Sequence, residues 1–422
     1  MSCTAPTASL FLALAATAAA QSTPFSYTAN NLNLVVQNST YTTNFSAFGT
    51  GAVAGFGPAE VRITASAVRE RGLGCGNQLQ ADIAFSFGAN DTITFTVFTT
   101  TADLGKPVSA VVTSSAGAYQ GKGGTAMVTI APANLALTAL NLTVDGSINA
   151  TGPAKPASIA PSGVVPLFSS VPIVQSGSWI SIYGNNLANG TSVWSSTNFI
   201  TDLSGVSVNI GAKPAYLWLV SPRQLNVQVP DIGSVGCVNV IVTTPNGTAQ
   251  SQIVLSTAQP SFSLLDAKYA AAIIAVPNGS GAYGSGINSY DIMGPVNAFT
   301  YKTRPVKAGE VIALYGVGFG PAAQPVTAGQ YAAYPINTFE RPIITIGGIT
   351  AEFVFSGLVG PGLYQLNVRV PSGLTPGDQP LVATVPSQPT PLLFSSFKTQ
   401  NCSDPDPQGP TPPNCAVYVA VQ

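Results

Sequence analysis

Gln224-Leu225-Asn226-Val227-Gln228-Val229-Pro230 returns further along the chain as Gln365-Leu366-Asn367-Val368-Arg369-Val370-Pro371. In both stretches Leu, Val and Val alternate with polar residues, the period of a strand with one face on a core, and Pro ends the ladder because it has no N–H to give. Leu225, Val227 and Val229, with Leu366, Val368 and Val370, are therefore expected in the core. A strand written twice predicts one fold built twice.

Matches continue on either side. Ile180-Ser181-Ile182-Tyr183-Gly184 corresponds to Ile312-Ala313-Leu314-Tyr315-Gly316 at an offset of 132, and Val208-Asn209-Ile210-Gly211 to Ile344-Thr345-Ile346-Gly347 at 136. The Gln-Leu-Asn strands lie 141 apart, so the second copy gains about four and then about five residues, both at loop positions. Length drift confined to turns is how duplicated β-units diverge. Both copies run on into a further strand pattern, at 238–242 and 381–385. In the first, Pro245-Asn246-Gly247-Thr248 turns the chain into a last strand at 252–255. In the second, Pro391-Leu392-Leu393-Phe394 leads into a loop bounded by Cys402 and Cys415, and 416–421 closes the unit.

A Tyr-Gly turn after the first strand, a Val-x-Ile-Gly strand and Gln-Leu-Asn-Val-x-Val-Pro together resemble the IPT/TIG immunoglobulin-like domains. Gly316-Val317-Gly318-Phe319-Gly320-Pro321 and Gly360-Pro361-Gly362-Leu363-Tyr364-Gln365-Leu366-Asn367-Val368 look like the C-terminal type that ends many large secreted proteins of soil bacteria. The resemblance covers about residues 162–422. It implies two Ig-like β-sandwiches, at 167–257 and 301–422, and no activity.

Upstream, 21–151 carries strand patterns at 32–36, 61–65, 81–87, 92–97, 126–130 and 140–144, with turns at Asn90-Asp91 and Gly123-Gly124. They predict an N-terminal antiparallel sandwich or barrel. Gly117-Ala118-Tyr119-Gln120-Gly121-Lys122-Gly123-Gly124 is similar to the Gly-aromatic-Gly hairpin of small secreted bacterial β-barrels. A Pro-spaced segment at 152–166 reads as an extended linker, and 258–300 as a bridge packed against both sandwich units.

Composition supports an all-β fold. Of 422 residues only 15 are basic and 16 acidic, while Gly (42) and Pro (34) are plentiful, so the charged side chains that normally clothe helices are missing. A net charge of −1 without a basic block excludes nucleic-acid binding and attraction to an anionic membrane. Histidine is absent, which removes Ser-His-Asp and Cys-His nucleophile pairs, His metal sites and histidine pH switching. Residues 1–20, with an apolar run at 10–16 and Ala18-Ala19-Ala20 before Gln21, fit a secretory signal, although no Lys or Arg lies near Met1. No other apolar run approaches the length of a membrane span.

In an exported chain a Cys402–Cys415 disulfide is expected to close the proline-rich loop, contributing about 3 kcal/mol on the chain-entropy model. Cys75 and Cys237 remain as a second, open pairing.

Candidate chemistry is sparse. The Gly316 to Gly320 run superficially suggests a nucleotide turn, but Pro321-Ala322-Ala323-Gln324-Pro325 forbids the helix such a turn needs. Asp404 and Asp406, with Asn414 nearby, are too few oxygen ligands for a calcium cage. Arg69-Glu70-Arg71 and Lys302, Arg304 and Lys307 read as charges for solubility and edge protection. No catalytic, cofactor-binding or metal-binding residue is expected. Tyr216, Trp218 and Trp194, with Tyr183, form a candidate binding surface, though alternation sends at least two aromatics of the unit inward. The expected function is an exported, non-catalytic adhesion, scaffold or interaction module for an extracellular protein or polysaccharide. The alternative is a glycan-binding protein with its site in the N-terminal domain.

Overall fold

The computed structural model describes residues 22–38, 42–68, 78–134, 136–149, 157–169, 171–266, 268–385, 395–396 and 417–422. The expected signal at 1–20, Arg69-Glu70-Arg71, Cys75, Asp404, Asp406, Asn414 and the Cys402–Cys415 loop lie outside these residues. Cys237, at the start of strand Gly236–Thr244, is disulfide-bonded.

The N-terminal domain is a closed antiparallel barrel of eight strands: β1 (Ser22–Asn38), β2 (Thr42–Val53), β3 (Gly57–Val68), β4 (Gln78–Ser86), β5 (Thr92–Thr100), β6 (Val108–Ala116), β7 (Gly123–Pro132) and β8 (Ala139–Asn149). β8 pairs back onto β1, from Ser22↔Asn149 to Asn33↔Ala139. Alternation sorts the residues. Ile63, Ile83, Phe85, Phe95, Val128, Leu142 and Val144 are buried in the bore, while Arg62, Thr64, Thr143 and Asp145 are exposed on the outer wall. The bore is thus apolar, and the outer wall mixes these polar residues with exposed Val35, Phe48, Val111 and Met127.

Eight strands enclose just enough space for side chains to fill. Phe25 packs on Phe85 and Phe95 at 4.8 and 5.1 Å, and Phe56, Phe87 and Tyr119 cluster in tilted and edge-on contacts at one end. Tyr119 comes from the Gly-rich hairpin between β6 and β7, anchored by the Ala118 N–H donating to Asp91 Oδ1 at 2.9 Å. At the other end Leu34, Phe45, Leu79, Leu104, Ile130, Leu137 and Leu140 line an apolar mouth of about 60 Å³.

On the outer wall Asp82 accepts a hydrogen bond from Thr96 Oγ1 at 2.6 Å, and Thr96 Oγ1 lies 2.7 Å from Thr113 Oγ1. Burial pushes the Asp82 carboxyl above its ordinary range, only partly offset by the Thr96 hydroxyl. Folding thus favours protonated Asp82, so its contribution is present in acid and lost as pH rises through the folded-state pKa. Asp82→Asn should slow amide exchange in β4 and β5 at neutral pH, with the difference vanishing in acid. A difference independent of pH would contradict this account.

Two two-sheet units follow. In the first, Ser192–Val193, Tyr216–Val220, Gln224–Gln228, Trp179–Asn185 and Ser158–Pro166 form one sheet in that order. The other sheet runs Ile173–Gln175, Gly247–Ser256, Gly236–Thr244, Val206–Ile210 and Asp202–Leu203. In the second, Glu352–Gly360, Leu363–Arg369 and Val311–Val317 repeat the central order, opposite a sheet containing Ile343–Ile346, Gly377–Thr384 and Val417–Val421. Cross-strand partners repeat as well. Ile180 faces Val227 and Ile182 faces Leu225, as Ile312 faces Val368 and Leu314 faces Leu366. Leu225, Val227, Val229, Leu366, Val368 and Val370 are all buried.

Two segments do more than link. Ser158–Pro166, within the expected linker, is an edge strand on Trp179–Asn185 with a register shift between Ile182 and Gly184, a location where prolines are tolerated. Of the expected bridge at 258–300, Ser261–Phe262 and Ala272–Ala275 pair with Val311–Val317, and Tyr290–Met293 pairs with Ala272–Ala275. The bridge is therefore part of the second unit's sheet. Arg304 is correspondingly more than a surface charge: it pairs with Asp291 at 2.5 Å and Glu310 at 2.9 Å. Burial pushes both acids up, but their hydrogen bonds and the guanidinium outweigh it and hold both below the usual carboxylate range.

Candidate functional site

The strand Gln224–Gln228 has two faces. Leu225 and Val227 enter the core, and the opposite face should meet water; yet Asn226 and Gln228 are also buried. Asn226 Oδ1 accepts from Gln224 Nε2 at 2.8 Å and from Ser181 Oγ at 3.2 Å, a network within the sheet. Gln228 reaches outside its unit. Its Nε2 donates to Gly177 O at 2.8 Å, and its Oε1 accepts from Gly329 N at 2.8 Å, in the second unit.

Other contacts cross the same seam. Gln175 meets Gly320 in both directions, Nε2 donating to its carbonyl at 2.9 Å and Oε1 accepting from its N–H at 2.7 Å. Gln175 Nε2 also lies 3.2 Å from the Tyr364 hydroxyl, which donates to Gly320 O. Burial pushes the Tyr364 phenol up to about 12, so it stays protonated and can donate throughout the neutral range. Trp179 Nε1 donates to Pro361 O at 2.7 Å, and Ala328 N to Asp231 Oδ2 at 3.0 Å. The Gly316 to Gly320 run thus serves as a dock. Phe319 packs in the core against Phe262 and Tyr364, and the Gly320 amide that a nucleotide turn would aim at phosphate is taken by Gln175. Each such bond contributes only about 1 kcal/mol net, but a buried partner left unmatched costs about 1–3 kcal/mol, so the seam holds as a set.

Close approach depends on two glycines with positive φ. A Cβ on Gly329 (φ 75°) would sit 2.1 Å from the Tyr216 ring, and one on Gly362 (φ 62°) 2.6 Å from Gly177 O and 2.9 Å from Trp179 Cδ1.

Along this seam the structure gathers the sequence-predicted aromatics. Trp194 N donates to Trp218 O at 2.7 Å, and Tyr216 lies against Gly329. Trp218 packs edge-on against Trp179 at 5.9 Å, and Trp179 against Phe199 at 4.8 Å. The second unit adds Tyr331, edge-on to Tyr334 at 5.7 Å. Asn198 ties the two contributions together: its carbonyl accepts from Trp194 Nε1 at 2.7 Å and its Oδ1 from Tyr331 N at 2.9 Å. Trp179 is buried, Tyr216 and Trp194 are half-buried, and Trp218 and Tyr331 are 38% and 64% exposed. Tyr183, 40% exposed, stands at the far end of the Trp179 strand. Beside the seam, Gln175, Lys213, Asp231, Gln324 and Tyr364 help line a cleft of about 570 Å³.

Sequence reasoning named Tyr216, Trp218 and Trp194 but missed Trp179, Phe199, Tyr331, Gln175 and Gln228, because their roles arise between units. A usable signal was present in Gly360-Pro361-Gly362, a turn with two glycines where one would close the hairpin. Among the described residues no group of three or more His, Cys, Asp or Glu is placed to hold a metal ion, and no helix is long and apolar enough to cross a membrane.

Residues 162–259 match the IPT/TIG domain model. No curated protein matches the chain. Among solved structures it is similar to SGBP-B of the Bacteroides ovatus mixed-linkage glucan utilization locus, solved with a mixed-linkage heptasaccharide: 12% identity, 78% of this chain and 55% of that one, TM-score 0.28. The chain thus spans little more than half of that protein's length. It is also similar to an Ig tandem of titin (10% identity, 51% of this chain and 86% of that one, TM-score 0.13). A third likeness is to a Corynebacterium diphtheriae protein described as membrane anchored (10% identity, 97% and 84%, TM-score 0.16). At these identities and scores no shared binding site is defined.

Proposed function

We propose that this chain is an exported, non-catalytic interaction protein whose two sandwich units, the second a further IPT/TIG-type copy, are locked into one body that presents an aromatic surface to an extracellular partner. The observation that carries this reading is Asn198, which fixes Trp194 of one unit and the backbone of Tyr331 of the other through a single side chain and its carbonyl. A surface composed from two units is preorganised only if the units do not move, which the buried Gln175 and Gln228 bonds support. Export is in keeping with the charge-poor composition, the apolar run at 10–16 followed by Ala18-Ala19-Ala20, and the disulfide-bonded Cys237. The barrel-sited alternative is less favoured, because its bore is filled with apolar side chains and its open mouth is lined almost wholly by apolar ones.

The test is binding of the intact chain to immobilised extracellular polysaccharides and secreted proteins, with soluble products monitored. Binding without turnover is expected, weakened about tenfold or more by Trp218→Ala or Tyr331→Ala and unchanged by Phe48→Ala on the barrel wall. Binding indifferent to both seam substitutions, or product release, would overturn the reading.

A further inference from the structure

Resting on that reading, we infer that the partner is a neutral polysaccharide strand, stacked across Trp218 and Tyr331 and hydrogen-bonded by the uncharged loops between them. The two most exposed rings of the seam come from different units, Trp218 packed against Trp179 and Tyr331 against Tyr334. A flat ring with an accessible face suits the apolar C–H face of a pyranose, as it suits a nucleobase, while sugar hydroxyls require donors and acceptors around the rim.

The rim has that chemistry. One loop reads Ser192-Val193-Trp194-Ser195-Ser196-Thr197-Asn198-Phe199-Ile200 and the other Val326-Thr327-Ala328-Gly329-Gln330-Tyr331-Ala332-Ala333-Tyr334. Neither contains a charged residue. Ser195, Ser196, Thr197, Asn198, Thr327 and Gln330 are exposed. A polyanion would demand Lys or Arg here, and a cationic ligand would demand carboxylates. A protein partner normally meets a contiguous apolar centre within about 800 Å² per side, whereas the exposed residues of these two loops are mostly hydroxyl and amide side chains.

The loops are also fixed before any ligand arrives. Phe199 N donates to Gly329 O at 2.7 Å, and Trp194 Nε1 and Tyr331 N are held by Asn198. Little ordering therefore remains to oppose binding.

Native-gel affinity electrophoresis of the intact chain decides the matter, with gels containing a neutral glucan, xylan or galactomannan, or the polyanions alginate and polygalacturonate. Retardation by at least one neutral polymer and by neither polyanion is expected. Trp218→Ala and Tyr331→Ala should each weaken it about tenfold, and Tyr331→Phe, which keeps the ring, should retain it. Retardation by polyanions alone, or by none of the polymers, overturns the inference. If a protein partner is then found whose binding needs Trp218 and Tyr331, the seam reading stands and only the ligand class falls. Retardation undiminished in both alanine variants overturns the seam reading together with the inference.

Discussion

Gly362→Ala should uncouple the two sandwich units while leaving each folded. The new Cβ would fall 2.6 Å from Gly177 O, 2.9 Å from Trp179 Cδ1 and 3.0 Å from Gln228 Nε2, all atoms of the first unit. None can yield cheaply, since one is backbone, one a buried ring and one a side chain already bonded across the seam. At φ 62° alanine also meets left-handed strain of about 1–2 kcal/mol. Relief comes from withdrawing the turn, which loses the Trp179 to Pro361 bond and exposes the Gln175 and Gln228 bonds to water. Gly348→Ala is the matched control, because φ is 79° there and nothing lies within 4 Å of the added Cβ. Amide exchange at Gly320 and Gly329 should rise sharply in Gly362→Ala and stay near wild type in Gly348→Ala. An equal rise in both variants would show that strain alone accounts for the effect, and no rise in either would show that the Gly362 contact does not hold the seam.

Leu225→Ala and Leu366→Ala should each destabilise their own unit by about 2–5 kcal/mol, the usual cost of a fully buried leucine with the cavity it leaves. Both leucines are buried, one opposite Ile182 and the other opposite Leu314. Because the partners correspond, the two losses should be similar when read by denaturant-dependent amide exchange in each unit. A loss below about 1 kcal/mol at either position would mean that the repeated strand does not occupy equivalent core sites.

The strand Gln224 to Pro230 shows how far the sequence could be read. Alternation placed Leu225, Val227 and Val229 in the core, and the offsets of 132 and 141 matched Ile180 with Ile312 and Val227 with Val368, while the pairing of Ile180 with Val227 and of Ile312 with Val368 came from the structure. These are local signals, carried by side-chain period and spacing. Barrel closure was not local. Ser22 meets Asn149, and nothing in either strand distinguishes that pairing from a sandwich edge. Ala272–Ala275 is four residues long, too short for its pattern to announce that it would extend the second unit's sheet. The polar face was the least legible part. Gln228 at an outward position reads as solvated, and only the arrival of Gly329 from another unit explains its burial. Trp194, Tyr216 and Trp218 were visible as aromatics, but Tyr331 joins them only because that docking brings a distant loop alongside.

Everything proposed about the binding surface depends on the two units being one body. The direct test is the distance distribution between spin labels on the intact chain at two exposed positions away from the seam, Gln250→Cys in the first unit and Ser372→Cys in the second. A single narrow distribution is predicted for the otherwise native protein, broadening when Gly362→Ala is added. A broad or bimodal distribution without that substitution would contradict a fixed seam, and with it a surface shared by Trp218 and Tyr331.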